Sequence, residues 1–178
     1  MTAATTPSNL VQDERGRGRY ASITVSTERA SVKSCACTKR DLHALLSEHA
    51  FTRQFGYVVR TISPGRCRLD VPFQPAFERP GGVISGQVYM AAADVAMWLA
   101  IKTQLGIADA SVTAELQTTF LRGGRHCVFA CTARVLKIGQ RLIFGVAECR
   151  DPNRHILAHH TITYIRQPAA NGVRLRQT

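Results

Sequence analysis

The most apolar part of the chain is one long segment with a single carboxylate near its middle. Residues 91–101 read AAADVAMWLAI, and the helical pattern extends from about Gly86 to Leu105. Ser85 and Gly106 are typical residues for the start and the end of such a helix. Because a helix that is apolar on nearly all sides must be covered on most of them, the pattern predicts a buried central helix that carries Asp94.

Before this helix the pattern predicts a short helix, a hairpin and a loop. The segment TKRDLHALLSEHAF has leucines at helical spacing behind Asp41, which indicates a helix start. FGYVVRTISPGRCRLDVPF contains two extended runs about the turn SPGR, which predicts a hairpin. QPAFERPGG, with two prolines and two glycines, is predicted to be a loop.

After the helix, four extended stretches follow one another. They read SVTAELQTTFLR, HCVFACTARVLKI, RLIFGVAECR and HILAHHTITYI. The short linkers GGR, GQ and DPNR favour antiparallel neighbours, and we interpret GGR as a hairpin turn. About six antiparallel strands and one helix that needs cover predict an α+β domain with the hotdog fold, in which a curved antiparallel sheet wraps around one long central helix.

Composition and charge divide the 178 residues into one domain and two basic ends. Residues 1–38 are predicted to be a flexible basic N-terminal extension, residues 39–167 the hotdog domain, and residues 168–178 a basic C-terminal tail. More than half of the net charge of +11 lies within the first 40 and the last 13 residues. No zinc-finger, helix-turn-helix or RNP-like pattern accompanies this charge, so we expect no nucleic-acid partner.

Targeting and redox signals point to the cytoplasm. The first 20 residues lack the continuous apolar region of a secretory signal, and the run 83–101 is marginal in length and interrupted by Asp94. We therefore expect a cytoplasmic protein without a membrane partner, whose six cysteines are thiols rather than disulfides. Cys127 and Cys131, and the histidines of HILAHHTITYI, are too widely spaced on extended strands to share a metal. We expect neither a metal nor a cofactor.

Asp94 and Gly86 are the residues to which the chemistry points. An unpaired buried carboxylate is costly, so Asp94 is expected to have a partner or a task. A helix N-terminus presents unpaired N–H groups and a partial positive charge, which makes the Gly86 amide a donor for a developing oxyanion. Asp94 lies about 12 Å further along the helix axis. One helix cannot bring both groups to one carbonyl, but two antiparallel helices of a two-fold pair can, so we expect at least a homodimer.

Several ordered segments resemble the PaaI-type acyl-CoA thioesterases. ISGQVYMAAADVA places Gly86 and Asp94 at the separation found in this family, and RPGGVISG, SVTAELQTTFLR and VLKIGQRLIFGVAECRD continue the likeness over roughly Leu42 to Ile165. The resemblance implies the hotdog fold, hydrolysis of an acyl-CoA or acyl-carrier-protein thioester, and a homotetramer. It also implies sites at the subunit interface, where Gly86 of one subunit meets Asp94 of another.

The resemblance further implies roles for individual residues. The Gly86 amide holds the carbonyl oxygen, Asp94 is either the general base or the nucleophile, and Thr113 orients the water or the carboxylate. Ser85 stands where the best-known members have His, and Arg79 or a neighbour stands about where they have Asn or Gln. Arginine is the natural partner for the phosphates of CoA. The expected substrate-binding residues are Ser85, Gln87, Arg79, Arg122 and Arg125.

Two alternatives stay open at the level of sequence. Asp94 can be a structural carboxylate that is bonded to a helix N-terminus or to the backbone of a neighbouring subunit and takes no part in a reaction. The protein can also be a non-catalytic acyl-CoA-binding or regulatory protein on the same fold. That function does not require the pair formed by Gly86 and Asp94, because function belongs to the site and not to the fold.

Overall fold

The computed structural model describes residues 10–12, 18–20 and 34–167 of the chain. In the first unit, Met1–Val32, strands β1 (Leu10–Gln12) and β2 (Gly18–Tyr20) pair in antiparallel fashion. The second unit begins at Lys33 and contains the domain. Most of the predicted N-terminal extension and the whole predicted tail, residues 168–178, lie outside the described residues.

The second unit contains helices, a 3-10 turn and strands. The helices are α1 (Lys39–Glu48), α2 (Ala50–Arg53) and α3 (Gly86–Leu105), and the 3-10 turn spans Pro75–Phe77. The strands are β3 (Val58–Ser63), β4 (Arg66–Val71), β5 (Glu78–Arg79), β6 (Val83–Ile84), β7 (Val112–Phe120), β8 (Phe129–Ile138), β9 (Leu142–Arg150) and β10 (Ile156–Ile165).

Six of these strands form one antiparallel sheet against which α3 packs. Their order across the sheet is β3-β4-β8-β9-β10-β7. The predicted architecture, about six antiparallel strands around one long helix, is confirmed. The hairpins β3–β4, β8–β9 and β9–β10 are confirmed as well.

The linker GGR is not a hairpin turn, and this prediction is wrong. β7 lies at the sheet edge beside β10, whereas β8 lies between β4 and β9, so β7 and β8 are not neighbours. Leu121 N–H and Arg122 N–H both donate to Leu157 O, which keeps the end of β7 against β10. The chain then crosses to β8 through a loop that contacts α3, because Gly124 N–H donates to the Tyr89 hydroxyl.

The segment QPAFERPGG is more ordered than the predicted loop. It contains the 3-10 turn and the first strand of a small hairpin, in which Glu78 pairs with Ile84 and Arg79 with Val83. The turn between β5 and β6 includes Gly81 and Gly82, whose φ angles of 98° and 70° favour glycine. The two glycines that indicated a loop therefore close a tight turn just before α3.

α3 has the predicted bounds. Ser85 is its cap residue, with φ −59° and ψ 139° and without a side-chain hydrogen bond to the helix. Gly106 ends the helix at φ 89°, and its N–H donates to Lys102 O over 2.9 Å. At α1 the start differs from the prediction: the cap is Thr38, and Asp41 is the third helical residue, whose carboxylate accepts the Thr38 N–H in a capping box.

The core lies between α3 and the inner face of β4, β8 and β9. On β9, Gly145 lets the helix approach closely, because a Cβ there would lie 2.6 Å from the Arg134 carbonyl oxygen and would press on the Met97 side chain. All six cysteines are free thiols. Within the described ranges, the helices lack the length and apolar character needed to cross a bilayer.

Candidate active site

Two segments hold the start of α3 in place. Ile84 N–H donates to Gly124 O over 2.9 Å, and Gly124 N–H donates to the Tyr89 hydroxyl over 3.1 Å. Burial raises the pKa of Tyr89 to about 12, so this hydroxyl keeps its proton. Ser85 N–H donates to Phe77 O over 2.8 Å. These bonds fix the direction in which the helix begins.

A groove of about 640 Å³ opens at this helix start. Four of the five predicted substrate-binding residues line it, namely Arg79, Ser85, Gln87 and Arg122. Arg125 does not, because its Nη1 donates to Gly81 O over 2.7 Å and lies 3.3 Å from Gly82 O in the β5–β6 turn. The structure thus brings four of the predicted residues together and gives Arg125 a contact that stabilises the neighbouring turn.

Gly86 is the first residue of α3 and lines the same groove. Within the described part of the chain its N–H has no hydrogen-bond acceptor, and the positive end of the helix dipole lies there. A Cβ at this position would lie 2.7 Å from Cζ of Phe120, so the aromatic ring passes directly over the glycine. The helix start therefore offers a backbone donor at a place that a larger residue would crowd.

Asp94 lies half-buried in the middle of α3, and two hydroxyl groups donate to the same oxygen of its carboxylate. Thr113 Oγ1 donates to Asp94 Oδ1 over 2.6 Å, and Tyr164 OH donates to it over 2.7 Å. Among the described residues, no hydrogen bond or ion pair engages Oδ2. The carboxylate opens into a pocket of about 300 Å³, which is lined by Phe51, Asp94, Val95, Trp98, Ser111, Val112, Thr113 and Tyr164.

Tyr164 is the contact that the sequence analysis did not identify. In the register of β10 and β7, Thr163 pairs with Glu115 and Tyr164 pairs with Thr113, which leaves Ala114 unpaired in a bulge. The available signal was the alternation in HILAHHTITYI, which puts Tyr164 on the same face as buried residues of that strand. That alternation gives no information about the partner across the bulge.

Within one chain, Gly86 and Asp94 open into separate pockets. The groove at the helix start and the pocket at the carboxylate share no lining residue. Both contain residues of β7, the edge strand of the sheet, and most residues of β7 are exposed. The two halves of the predicted site therefore lie along one open side of the domain.

The inner face of the sheet also carries a buried histidine. Thr118 Oγ1 lies 2.8 Å from His160 Nδ1, and Cys149 Sγ lies 3.7 Å from its Nε2. Burial, with a smaller contribution from His159, lowers the pKa of His160 to about 4, so the imidazole is neutral at physiological pH. In the part of the chain that the structure describes, no group of three His, Cys, Asp or Glu side chains is arranged to hold a metal ion.

Comparison with known proteins shows a likeness to thioesterases and esterases. Residues 81–167 match the family model of the thioesterase superfamily. A curated relative from Saccharolobus solfataricus, named as a candidate esterase, is 28% identical over 125 residues, which are 70% of this chain and 83% of the relative. The chain is therefore similar to proteins of the thioesterase superfamily over these residues.

Solved structures share the fold. A candidate thioesterase from a Silicibacter species is 26% identical, with a TM-score of 0.69 over 78% of this chain and 97% of that one. The PaaI protein of Escherichia coli is 18% identical, with a TM-score of 0.67 over 73% of this chain and 93% of that one. The predicted hotdog fold and the predicted likeness to thioesterases are confirmed.

Proposed function

We propose that this protein hydrolyses the thioester of an acyl-CoA or acyl-carrier-protein substrate, with Asp94 as the reacting carboxylate. One observation carries the proposal above all: Asp94 is held through Oδ1 by two hydroxyl groups and opens into a pocket. A purely structural carboxylate would have no need of that opening. The match of residues 81–167 to the thioesterase superfamily model supports the same reaction class.

The chemistry follows from the charges that develop. When the thioester carbonyl is attacked, its oxygen becomes negative, and the Gly86 N–H at a helix N-terminus stabilises that charge. Asp94 either takes a proton from the attacking water or itself attacks the carbonyl carbon, in which case water hydrolyses the resulting anhydride. In the general-base route the C–S bond breaks and the protonated Asp94 returns its proton to the thiolate; in the nucleophilic route the thiolate leaves as the anhydride forms and takes a proton from water. Both routes remain part of the proposal.

The site requires two chains. Gly86 and Asp94 are about 12 Å apart along one helix, which is too far for both to reach one carbonyl. β7 is an exposed edge strand beside both groups, and an edge strand has unpaired N–H and C=O groups that a second copy can pair with. We propose a homodimer at least, and the family resemblance extends this to a homotetramer.

The groove at the helix start is proposed to receive the CoA or carrier-protein arm of the substrate. Ser85 and Gln87 lie beside Gly86, and Arg79 and Arg122 supply positive charge for phosphate oxygens. Arg125 was also predicted to bind substrate. Because it already binds the β5–β6 turn, Arg79 and Arg122 are the stronger candidates.

Thiol release from a panel of acyl-CoAs tests the proposal. We expect Asp94→Asn to lower kcat by at least about 100-fold, the low end for the loss of a general base. Circular dichroism and light scattering should show an unchanged fold and oligomeric state. Near-native turnover by folded Asp94→Asn protein would overturn the role of Asp94. Tight binding of acyl-CoA by the parent protein without any thiol release would favour the non-catalytic alternative.

A further inference from the structure

The hydroxyl groups around Asp94 come from two neighbouring strands. Tyr164 on β10 and Thr113 on β7 are cross-strand partners, and both donate to Oδ1 of Asp94, over 2.7 Å and 2.6 Å. Tyr164 OH also lies 3.0 Å from the Asp94 carbonyl oxygen. A phenol has one hydrogen to donate, and the shorter distance favours the carboxylate. Two donors on Oδ1 leave Oδ2 as the oxygen that can accept from a ligand.

The bulge in β7 creates this arrangement. If β7 had no bulge, Tyr164 would pair with Ala114 instead of Thr113, and Thr113 would lie one position further along the register. A shift of one residue turns a strand side chain to the other face of the sheet. Bulges of this kind are frequent beside functional sites, where they re-aim a side chain. The bulge therefore turns the Thr113 hydroxyl to the face on which the alternation of β10 already places Tyr164.

Tyr164 is a donor at any ordinary pH. Burial raises the pKa of its phenol, and the negative charge of Asp94 raises it further. The pKa of the Tyr57 phenol is also raised, mainly by burial, and the charge of Asp94 is among the smaller causes. Among the described residues, no ion pair involves Asp94. The carboxylate thus meets neutral hydroxyl groups rather than a cation.

We propose that Tyr164 is a positioning residue: together with Thr113 it fixes Asp94 through Oδ1, so that Oδ2 attacks the thioester carbonyl or takes the proton from water. This inference rests on the proposed function of Asp94. A hydroxyl that donates to a carboxylate stabilises the ionised form over the neutral acid. Tyr164 therefore holds Asp94 in its reactive orientation.

The variant Tyr164→Phe removes the hydroxyl and keeps the ring. We expect kcat to fall by about 10- to 100-fold, the range for a hydrogen bond to a charged group, with a small change in KM. The acid limb of the pH profile of kcat/KM should move to higher pH, because the ionised carboxylate loses a donor. A merely structural tyrosine would lower the melting temperature without moving that limb.

Tyr57→Phe is the matched control. Tyr57 is also a buried tyrosine, but within the described residues its hydroxyl has no hydrogen-bond partner. We expect this variant to keep the kcat and the pH profile of the parent. If Tyr164→Phe behaves like Tyr57→Phe while Asp94→Asn is inactive, the positioning role is wrong and the proposed function stands. If Asp94→Asn retains turnover, the proposed function itself fails.

A second substitution covers the case in which Tyr164→Phe does not fold. Incorporation of 3-fluorotyrosine at position 164 preserves the ring and the hydroxyl but makes the phenol a stronger donor. The acid limb should then move in the opposite direction, to lower pH, in a protein that melts with the parent. An unchanged limb in that protein would overturn the inference.

Discussion

The two sides of α3 differ in what covers them. Toward β4, β8 and β9 the helix presents alanines and large apolar side chains with no exposure, such as Ala92, Ala96 and Leu99. Along β7 it presents the stripe Met90, Asp94 and Trp98, spaced four residues apart and therefore on one face. Met90 is 38% exposed, and Asp94 and Trp98 are half-buried. One helix thus contributes to the core on one side and, on the other, to the surface that we propose to be reactive.

Because the two sides differ in this way, substitutions on the covered side are expected to affect stability, and substitutions on the open side are expected to affect turnover. The covered side is packed so closely that a Cβ at Gly145 would force its neighbours to shift, whereas the open side holds a carboxylate, a backbone donor at the helix start and two pockets. Changes on the covered side should alter the free energy of unfolding and leave turnover per folded molecule intact. Changes on the open side should lower turnover per folded molecule and leave the free energy of unfolding nearly unchanged. A glycine on each side makes the contrast testable.

The largest effect is expected from Gly86→Pro on the open side. Proline removes the backbone N–H but is well tolerated at the first position of a helix. Ser85 before it already has the extended backbone that a residue preceding proline requires, at φ −59° and ψ 139°. We expect kcat to fall by at least about 100-fold, the low end for losing one oxyanion donor. The melting temperature should stay near that of the parent, as thiol release and thermal unfolding will show.

Gly86→Ala is the control for crowding at the same position. It keeps the N–H and places a methyl group against Phe120, whose exposed side chain is free to move. The alanine variant should therefore retain much more turnover than the proline variant. Equal losses in the two variants would show that the added bulk, and not the missing donor, reduces activity.

A moderate effect is expected from Gly145→Ala on the covered side. The added methyl meets the Arg134 carbonyl oxygen, which is backbone, and the Met97 side chain. Overpacking of this kind typically costs about 1–3 kcal/mol of stability. Urea denaturation should show the lower midpoint, and kcat per folded molecule should be unchanged. A midpoint equal to that of the parent would mean that the covered side is less tightly packed than the contrast requires.

The smallest effect is expected from pH and concerns buried His160. Its pKa is about 4 in the folded state, against an ordinary value of 6.5, so the unfolded chain binds more protons between these values. The contribution to stability is present above pH 6.5 and is lost as the pH falls toward 4. Between pH 7 and 5.5 the free energy of unfolding should fall by about 1 kcal/mol from this group.

Substitutions of two adjacent histidines can isolate the contribution of His160 to the pH dependence of stability. His160→Gln should flatten the dependence of the melting temperature on pH, whereas His159→Gln, at the adjacent half-buried position, should leave most of it in place, because burial is the larger cause of the lowered pKa. An equal slope in His160→Gln and in the parent would assign the acid sensitivity to other groups.

The helix ends and hairpins that were predicted correctly depend on residues close together in the sequence. The ends of α3 follow from Ser85 and Gly106, and the hairpins β8–β9 and β9–β10 follow from short polar linkers. The position of β7 was not predictable in this way, since the loop after it is held by nonlocal contacts to Leu157 and Tyr89. A short linker gives the distance between strands along the chain, not their order in a sheet.

The candidate site shows the same limit. The spacing of Gly86 and Asp94 can be read along one helix, because both lie on the same element. The pairing of Tyr164 with Thr113 depends on a one-residue bulge in β7, and the hydrophobic periodicity of the sequence does not reveal that bulge. When a helix is apolar on nearly all sides, its sequence also does not indicate which face stays exposed. The stripe that carries Asp94 is selected by the sheet order.

A mixing experiment tests most directly whether each site is built from two chains. Asp94→Asn and Gly86→Pro are each expected to be nearly inactive alone, and native mass spectrometry can verify that co-expressed chains share one oligomer. If Gly86 of one chain works with Asp94 of its two-fold partner, random pairing restores about a quarter of the sites, and about a quarter of the parent's turnover should return. No activity above that of the separate variants, in oligomers shown to contain both chains, would contradict the shared site.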